Sequence, residues 1–244
     1  MSDAAQRQAT VDAGDVYEAV RQRFIATVRG VPADALLTMV PAAPEWRVRD
    51  VLAHAVGLPA DLNAQRFPAA GDEGASAWTA RQVAARAGTT IDELVAEWDR
   101  EAPGFEDGLR LFGYGEGCHF VADLHAHHQD VRGALRLPAD DHALTVAVAL
   151  DHYLGFLHQM LCDASWGVVA VHAGAEVRVL GTEAGANRAQ VAGTAFEVLR
   201  SFSARRSPAQ IRGLRWRGDV EPLLAVLQSG FSGGYALPPV DLVE

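Results

Sequence analysis

Three histidines and two carboxylates fall within one short segment, DLHAHHQD at residues 123–130. Imidazole nitrogens and carboxylate oxygens are donors that bind zinc and related divalent cations in proteins. Asp123 and His127 are four positions apart, so on a helix their side chains stack over one turn and can converge on one cation. The same spacing also fits a buried histidine hydrogen-bonded to a carboxylate, and the spacing alone favours neither interpretation.

A helix from about His119 to Leu135 would position this cluster. With about 100° per residue, His127 lies near the middle of an apolar face and Asp123 lies beside it. That face is formed by Phe120, Leu124, Val131, Ala134 and Leu135. The wheel places His128 at the edge of this face. The side chains that it predicts to point to solvent are His125, Gln129 and Arg132.

His54 is a further candidate donor, in a helix that starts near Trp46. It lies at the flank of an apolar face, where it could point either into a helical bundle or outward. Gly57 and Pro59 predict that this helix is interrupted or ends there. We expect Trp46 and Trp98 to serve packing and not to form a binding platform.

The order of the elements predicts two domains. Helical periodicity covers the first two thirds of the chain, including a capping box at Thr90–Glu93 and a helix that Pro103 should kink or break. After Trp166 the period changes to two, which predicts a hairpin and a third strand. The fold class is therefore a helical bundle followed by α+β structure, with a helical domain at residues 1–163 and a small domain at residues 164–244.

The composition excludes several classes of function. The net charge is −10 and no basic block suits a nucleic-acid surface. All 21 basic residues are arginine, and the absence of lysine excludes Schiff-base, pyridoxal-phosphate and phosphate-loop-lysine chemistry. The chain shows no signal-peptide core and no membrane span. With Cys118 and Cys162 as its two cysteines, the sequence predicts a protein of the reducing cytoplasm.

Two segments together resemble one known family. PEWRVRDVLAHAVG is similar to the W-[ST]-V-R-D-x-x-x-H-x-x-G segment of the mycothiol-dependent maleylpyruvate isomerase family, and DLHAHHQDVRGAL is similar to its later [ED]-x-x-x-H-x-x-D-x-x-x-A-L helix. The resemblance implies a DinB-like four-helix bundle followed by a small α/β C-terminal domain. Arg47 departs from the pattern, because it stands where the family has a hydroxyl residue that would cap the helix.

The resemblance also implies a site and its cofactors. A divalent metal, zinc by the family's usage, would be held by His54, Asp123 and His127, with Asp123 standing where the isomerase proper has glutamate. Mycothiol, the small thiol of actinobacteria, would be the thiol cofactor, which the metal activates as a thiolate. The helix AFEVLRSFSARRSP is similar to one that ends in a Gly-Arg pair, with Ala204 in place of the glycine. We predict that Arg205, more than Arg206, binds a substrate carboxylate as the catalytic arginine.

These features leave three functions open. The first is a mycothiol-dependent isomerase or thiol S-transferase that acts on a small unsaturated carboxylic acid or another electrophile. The second is a non-enzymatic module that binds a metal or a small molecule, and the third is a hydrolase that uses metal-bound water. In each case we expect a monomer or homodimer. Cys118, just ahead of the histidine-rich helix, fits a buried structural residue better than a nucleophile.

Overall fold

The computed structural model describes residues 3–67, 75–228 and 236–243. Within these ranges the chain is mostly helical and has a small sheet in its C-terminal part, as the order of the sequence patterns predicts. None of the helices in these ranges combines the length and the apolar character needed to cross a membrane.

The helices lie close to the positions that apolar periodicity predicts. In chain order they are α1 Asp3–Thr10, α2 Ala13–Arg29, α3 Val48–Asn63, α4 Ala75–Ala85, α5 Ile91–Phe112, α6 Tyr114–Ala134, α7 Ala143–Asp163, α8 Ala195–Phe202, α9 Pro208–Arg212 and α10 Glu221–Gln228. The predicted capping box before α5 is confirmed. Glu93 accepts the Thr90 N–H at 2.8 Å, and the Thr90 hydroxyl accepts the Glu93 N–H at 3.3 Å.

The strands form two sheets. A short antiparallel pair, β1 Met39–Val40 with β2 Ala43–Arg47, leads directly into α3. The larger sheet contains β3 Gly167–Ala173, β4 Glu176–Gly181, β5 Asn187–Gly193 and β6 Arg215–Arg217, in the order β4-β3-β5-β6. β3 is antiparallel to β4 and parallel to β5, and β6 is antiparallel to β5. The predicted hairpin and third strand are confirmed.

Contacts between residues divide the chain into two compact units. We call Ala9–Asp140 the helical unit, and Met1–Gln8 with Asp141–Val243 the sheet unit. α7 belongs to the sheet unit because it packs on α8, β3 and β4, whereas the sequence analysis ended the helical domain after this helix. The boundary between independently folding domains at residues 163–164 stays a prediction.

Large apolar side chains hold the helical unit together. Helix α6 contacts α2, α3 and α5, and α5 also contacts α2 and α3. Tyr17, Phe24, Leu52 and Trp98 are fully buried, and the edge of Phe24 meets Trp98 with ring centroids 5.7 Å apart. Burying a side chain of this size stabilises the folded state by about 2 kcal/mol. The packing prediction for Trp98 is therefore confirmed.

Two prolines lie inside helices that the sequence analysis expected them to interrupt. α3 continues through Gly57 and Pro59, and α5 continues through Pro103. A proline in a helix interior removes one backbone hydrogen bond and costs about 3 kcal/mol. In α3 every residue from Val51 to Ala60 is buried, so tertiary packing on α4 and α5 offsets that cost. The predicted interruption of α3 is wrong for this reason.

Candidate metal site

Two histidines and one aspartate converge in the helical unit. His54 lies on α3, and Asp123 and His127 lie on α6. One donor atom from each of the three lies within 4.8 Å of the others. His54 and His127 are buried, with 4% and 8% of their surface exposed, whereas 36% of the Asp123 side chain is exposed. The group therefore has buried imidazoles and one carboxylate that solvent reaches.

At the start of α3, Asp50 compensates for the missing side-chain cap at Arg47. Arg47 occupies the N-cap position, and its side chain makes no cap hydrogen bond. The Asp50 carboxylate accepts the Arg47 N–H at 3.0 Å, which is the reciprocal half of a capping box. α3 thus begins at Val48, and His54 lies on its second turn.

The helical wheel predicts the buried position of His127 on α6 correctly, but its predictions for the other sides of this helix are wrong. His125 is 1% exposed and Gln129 is 0% exposed, although the wheel pointed both to solvent. Arg132, in the same predicted set, is half-buried, and its guanidinium donates to the Thr27 hydroxyl at 3.1 Å. The reason is that α6 packs against α2, α3, α5 and β1, so it has no single apolar face.

His128 is a structural residue and is not at the edge of a face. It is fully buried, and its ring stacks on Phe24 with centroids 5.1 Å apart. Its Nε2 lies 2.9 Å from the Thr27 hydroxyl, and its Nδ1 lies 3.2 Å from an Asp140 carboxylate oxygen. These contacts tie the end of the helical unit to α2 and α6.

The electrostatics of His54 and Asp123 match the protonation states that a metal site needs. Burial, followed by the neighbouring His127, lowers the pKa of His54 to about 4. Asp123 is only partly buried, which by itself would raise its pKa, but His127 and then His54 hold this pKa below its ordinary range. At neutral pH the site thus offers a neutral imidazole and an ionised carboxylate, the forms that bind metals.

The ring nitrogens of His127 have different surroundings. Nε2 lies 3.5 Å from the Asp123 carboxylate, on the side of the candidate site. Nδ1 lies 3.9 Å from the Asp130 carboxylate, too far for a hydrogen bond, and is without a hydrogen-bond partner among the residues that the structure describes. The alternative of a core histidine satisfied by one good hydrogen bond to Asp123 therefore has weak support.

Gln82 and Trp46 adjoin the site, and sequence reasoning missed both roles. The amide oxygen of Gln82, on α4, lies 2.7 Å from Nδ1 of His54. Gln82 belongs to no recognised motif, so no sequence signal identified it. The Trp46 ring lies 5.3 Å from the His54 ring and 6.5 Å from the His127 ring, measured between centroids. Trp46 therefore forms a wall of the site, in addition to the packing predicted for it.

The arginine pair at the end of α8 has two different environments. Arg206 is buried and pairs with Glu197 at 3.2 Å, which is a structural role. Arg205 is partly exposed, and its guanidinium donates to the Ser203 carbonyl at 3.1 Å. Ala204, between them and the helix, has a φ of +57°, a left-handed conformation that favours glycine. The glycine that the resemblance implies at this position would adopt this conformation without strain. The role of Arg205 toward substrate stays a prediction.

Cys118 lies inside α6, which begins earlier than predicted. It is 7% exposed, and its thiol donates to the Gly115 carbonyl at 3.1 Å, one turn earlier in the same helix. The structural interpretation of this cysteine fits these contacts.

Comparisons with known proteins identify a family and two solved structures of similar fold. The family model described as "mycothiol maleylpyruvate isomerase N-terminal domain" matches residues 17–144, just over half of the chain. Two crystal structures are similar, one of a mycothiol-dependent maleylpyruvate isomerase and one of its histidine-to-alanine mutant. Each shares 11% identity with this chain at a TM-score of 0.52, over 85% of this chain and 93% of the other. This likeness shows a shared fold. No curated protein matches the sequence.

Proposed function

The chain belongs to the mycothiol maleylpyruvate isomerase N-terminal domain family, and from this premise we propose that it is a metal- and mycothiol-dependent enzyme. Its reaction is an isomerisation of the maleylpyruvate type or the transfer of the thiol to a small electrophile. The observation that carries the proposal is the convergence of His54, Asp123 and His127 within 4.8 Å. We also propose that α2, α3, α5 and α6 form the DinB-like four-helix bundle.

The donor set fits a divalent cation. Two imidazoles and one carboxylate are the ligands of many catalytic zinc sites, and three protein ligands leave a coordination position open. Nδ1 of His54 lies 2.7 Å from the amide oxygen of Gln82, and ligating histidines usually have such an outer partner. Bound here, zinc or a similar cation would supply Lewis acidity, which lowers the pKa of a thiol so that the thiolate forms at neutral pH.

The residues named in this proposal have separate tasks. His54 and His127 bind as neutral donors, and Asp123 contributes the negative charge. Trp46 covers one side of the two imidazoles and limits the access of water to them. Arg205 binds a carboxylate of the substrate, for which a planar guanidinium is suited. Arg206 is the structural member of the pair, because it is bound to Glu197.

Thermal unfolding with and without thiol tests the proposal. Mycothiol should raise the melting temperature of the metal-loaded protein and should not change that of the chelated protein, because a ligand stabilises only the state that binds it. Equal shifts of both forms would contradict a thiol site on the metal. Turnover without thiol would favour the metal-dependent hydrolase, and ligand binding by metal-free protein without turnover would favour the binding module.

A further inference from the structure

Resting on the proposed metal site, we infer that Gln82 is a positioning residue that holds His54 in the tautomer required for metal binding. Gln82 lies on α4, outside both motifs of the family resemblance, and is 2% exposed. Its amide group joins two residues of α3: Oε1 lies 2.7 Å from Nδ1 of His54, and Nε2 lies 3.0 Å from Oδ2 of Asp61.

Asp61 sets the direction of the two hydrogen bonds that connect it through Gln82 to His54. Its carboxylate can only accept, and its other oxygen receives the Nε–H of Arg66 at 2.9 Å. The NH₂ end of the Gln82 amide must therefore face Asp61, which turns the carbonyl end toward His54. Because that carbonyl can only accept, His54 must carry its proton on Nδ1. The lone pair is then on Nε2, the nitrogen left for a metal.

Close packing of α3 and α4 keeps Gln82 in this position. His54, Gly57 and Asp61 follow one another at helical spacing on one side of α3. A Cβ at Gly57 would lie 2.7 Å from Cβ and 2.9 Å from Cγ of Gln82, so only glycine permits this approach. Arg86, directly after the end of α4, donates to the backbone carbonyl of Gln82 at 3.1 Å and pairs with Glu97 of α5. The acceptor is thus fixed by packing and by ion pairs.

The Gln82 acceptor affects metal binding through the fraction of His54 that is in each tautomer. Without an acceptor at Nδ1, the proton of a neutral imidazole can occupy either nitrogen, and the fraction protonated on Nε2 cannot bind through that atom. The ring also loses the contact that fixes its orientation. Loss of such an outer partner lowers metal affinity by about 10- to 100-fold in known sites.

The test measures zinc affinity by chelator competition and the His54 tautomer by two-bond ¹H–¹⁵N correlation spectra of the metal-free protein. Gln82→Met keeps the size of the side chain and removes its hydrogen bonds, and we expect zinc to bind about 10- to 100-fold more weakly. The double variant Gln82→Glu with Asp61→Asn exchanges amide and carboxylate. It reverses the hydrogen bond between these two positions but still presents an acceptor to Nδ1 of His54, so it should restore most of the affinity. Arg86→Met removes one of the contacts that hold Gln82 and leaves its side-chain amide present, so it should weaken zinc binding less than Gln82→Met does.

The spectra separate this inference from the proposed function. We expect His54 to carry its proton on Nδ1 in wild type and to populate both tautomers in Gln82→Met. A wild-type His54 protonated on Nε2, or a folded Gln82→Met variant with wild-type zinc affinity, would overturn the inference. If wild type binds no zinc but shows the expected tautomers, the metal site fails and the positioning role of Gln82 stands.

Discussion

His54 and His127 face each other across the contact between α3 and α6, with ring centroids 4.9 Å apart and ring planes at 84°. Two buried imidazoles at this distance cannot both be protonated without strong repulsion. A cation between them, with Asp123 as the third donor, would relieve the crowding of unpaired nitrogen lone pairs.

We predict that the purified protein contains about one divalent metal per chain, and that Asp123→Ala removes it. Asp123 supplies the one carboxylate of the group, so its loss leaves only two donors. His119→Ala, on the exposed surface one turn earlier in α6, is the matched control and should keep its metal. Elemental analysis of protein prepared without chelator measures both. Wild-type protein that stays metal-free after added zinc would contradict the site.

His127→Leu should remove the metal and keep the fold. His127 is 8% exposed, its Nδ1 has no hydrogen-bond partner among the described residues, and its Nε2 is 3.5 Å from the Asp123 carboxylate, so leucine removes one long contact and no short hydrogen bond. Leucine fits a buried helical position, and we expect the free energy of unfolding of the metal-free variant to stay within about 1 kcal/mol of metal-free wild type. Denaturant titration of both chelated proteins measures it. A loss of about 2 kcal/mol or more, with metal content unchanged, would show that the pair with Asp123 is structural.

Metal-free protein should lose stability on acidification because of His54. Its pKa is lowered from 6.5 to about 4 in the folded state, so between these values the unfolded chain takes up a proton that the folded chain does not. The contribution of His54 to the free energy of unfolding has its full value above pH 6.5 and falls as the pH decreases to about 4. It amounts to about 3 kcal/mol at most.

His54→Leu isolates this contribution. Denaturant unfolding of chelated proteins at pH 7 and at pH 4.5 should show a smaller loss for His54→Leu than for wild type, by about 2 kcal/mol. His119→Leu should follow wild type because His119 is exposed. Equal losses for wild type and His54→Leu would contradict a lowered pKa at His54.

Local sequence patterns predicted the helices and strands and, through the family resemblance, the proposed metal ligands. They missed the side-chain positions that depend on packing between helices. The positions of His54, Asp123 and His127 follow from two short motifs, and the structure brings the three together. A wheel with one apolar face failed for α6, because four elements surround this helix. Gln82 reaches His54 only through the packing of α4 on α3, which no spacing in the sequence specifies.

Gly57→Ala should destabilise the protein and weaken metal binding, although alanine is the better helix former. In an open helix interior this substitution stabilises by about 1 kcal/mol. At Gly57 the new Cβ would lie 2.7 Å from Cβ of Gln82, so α4 must move away and the hydrogen bond to His54 must lengthen. Gly108→Ala is the matched control in α5, because a Cβ there would meet no described atom within 4 Å beyond its chain neighbours and the nearby backbone of its own helix. We expect Gly108→Ala to raise the free energy of unfolding with zinc affinity unchanged, and Gly57→Ala to lower both. Chelator competition measures the zinc affinity of the two variants, and denaturant titration measures their free energy of unfolding. A Gly57→Ala protein that equals Gly108→Ala in both quantities would show that α4 does not position the site.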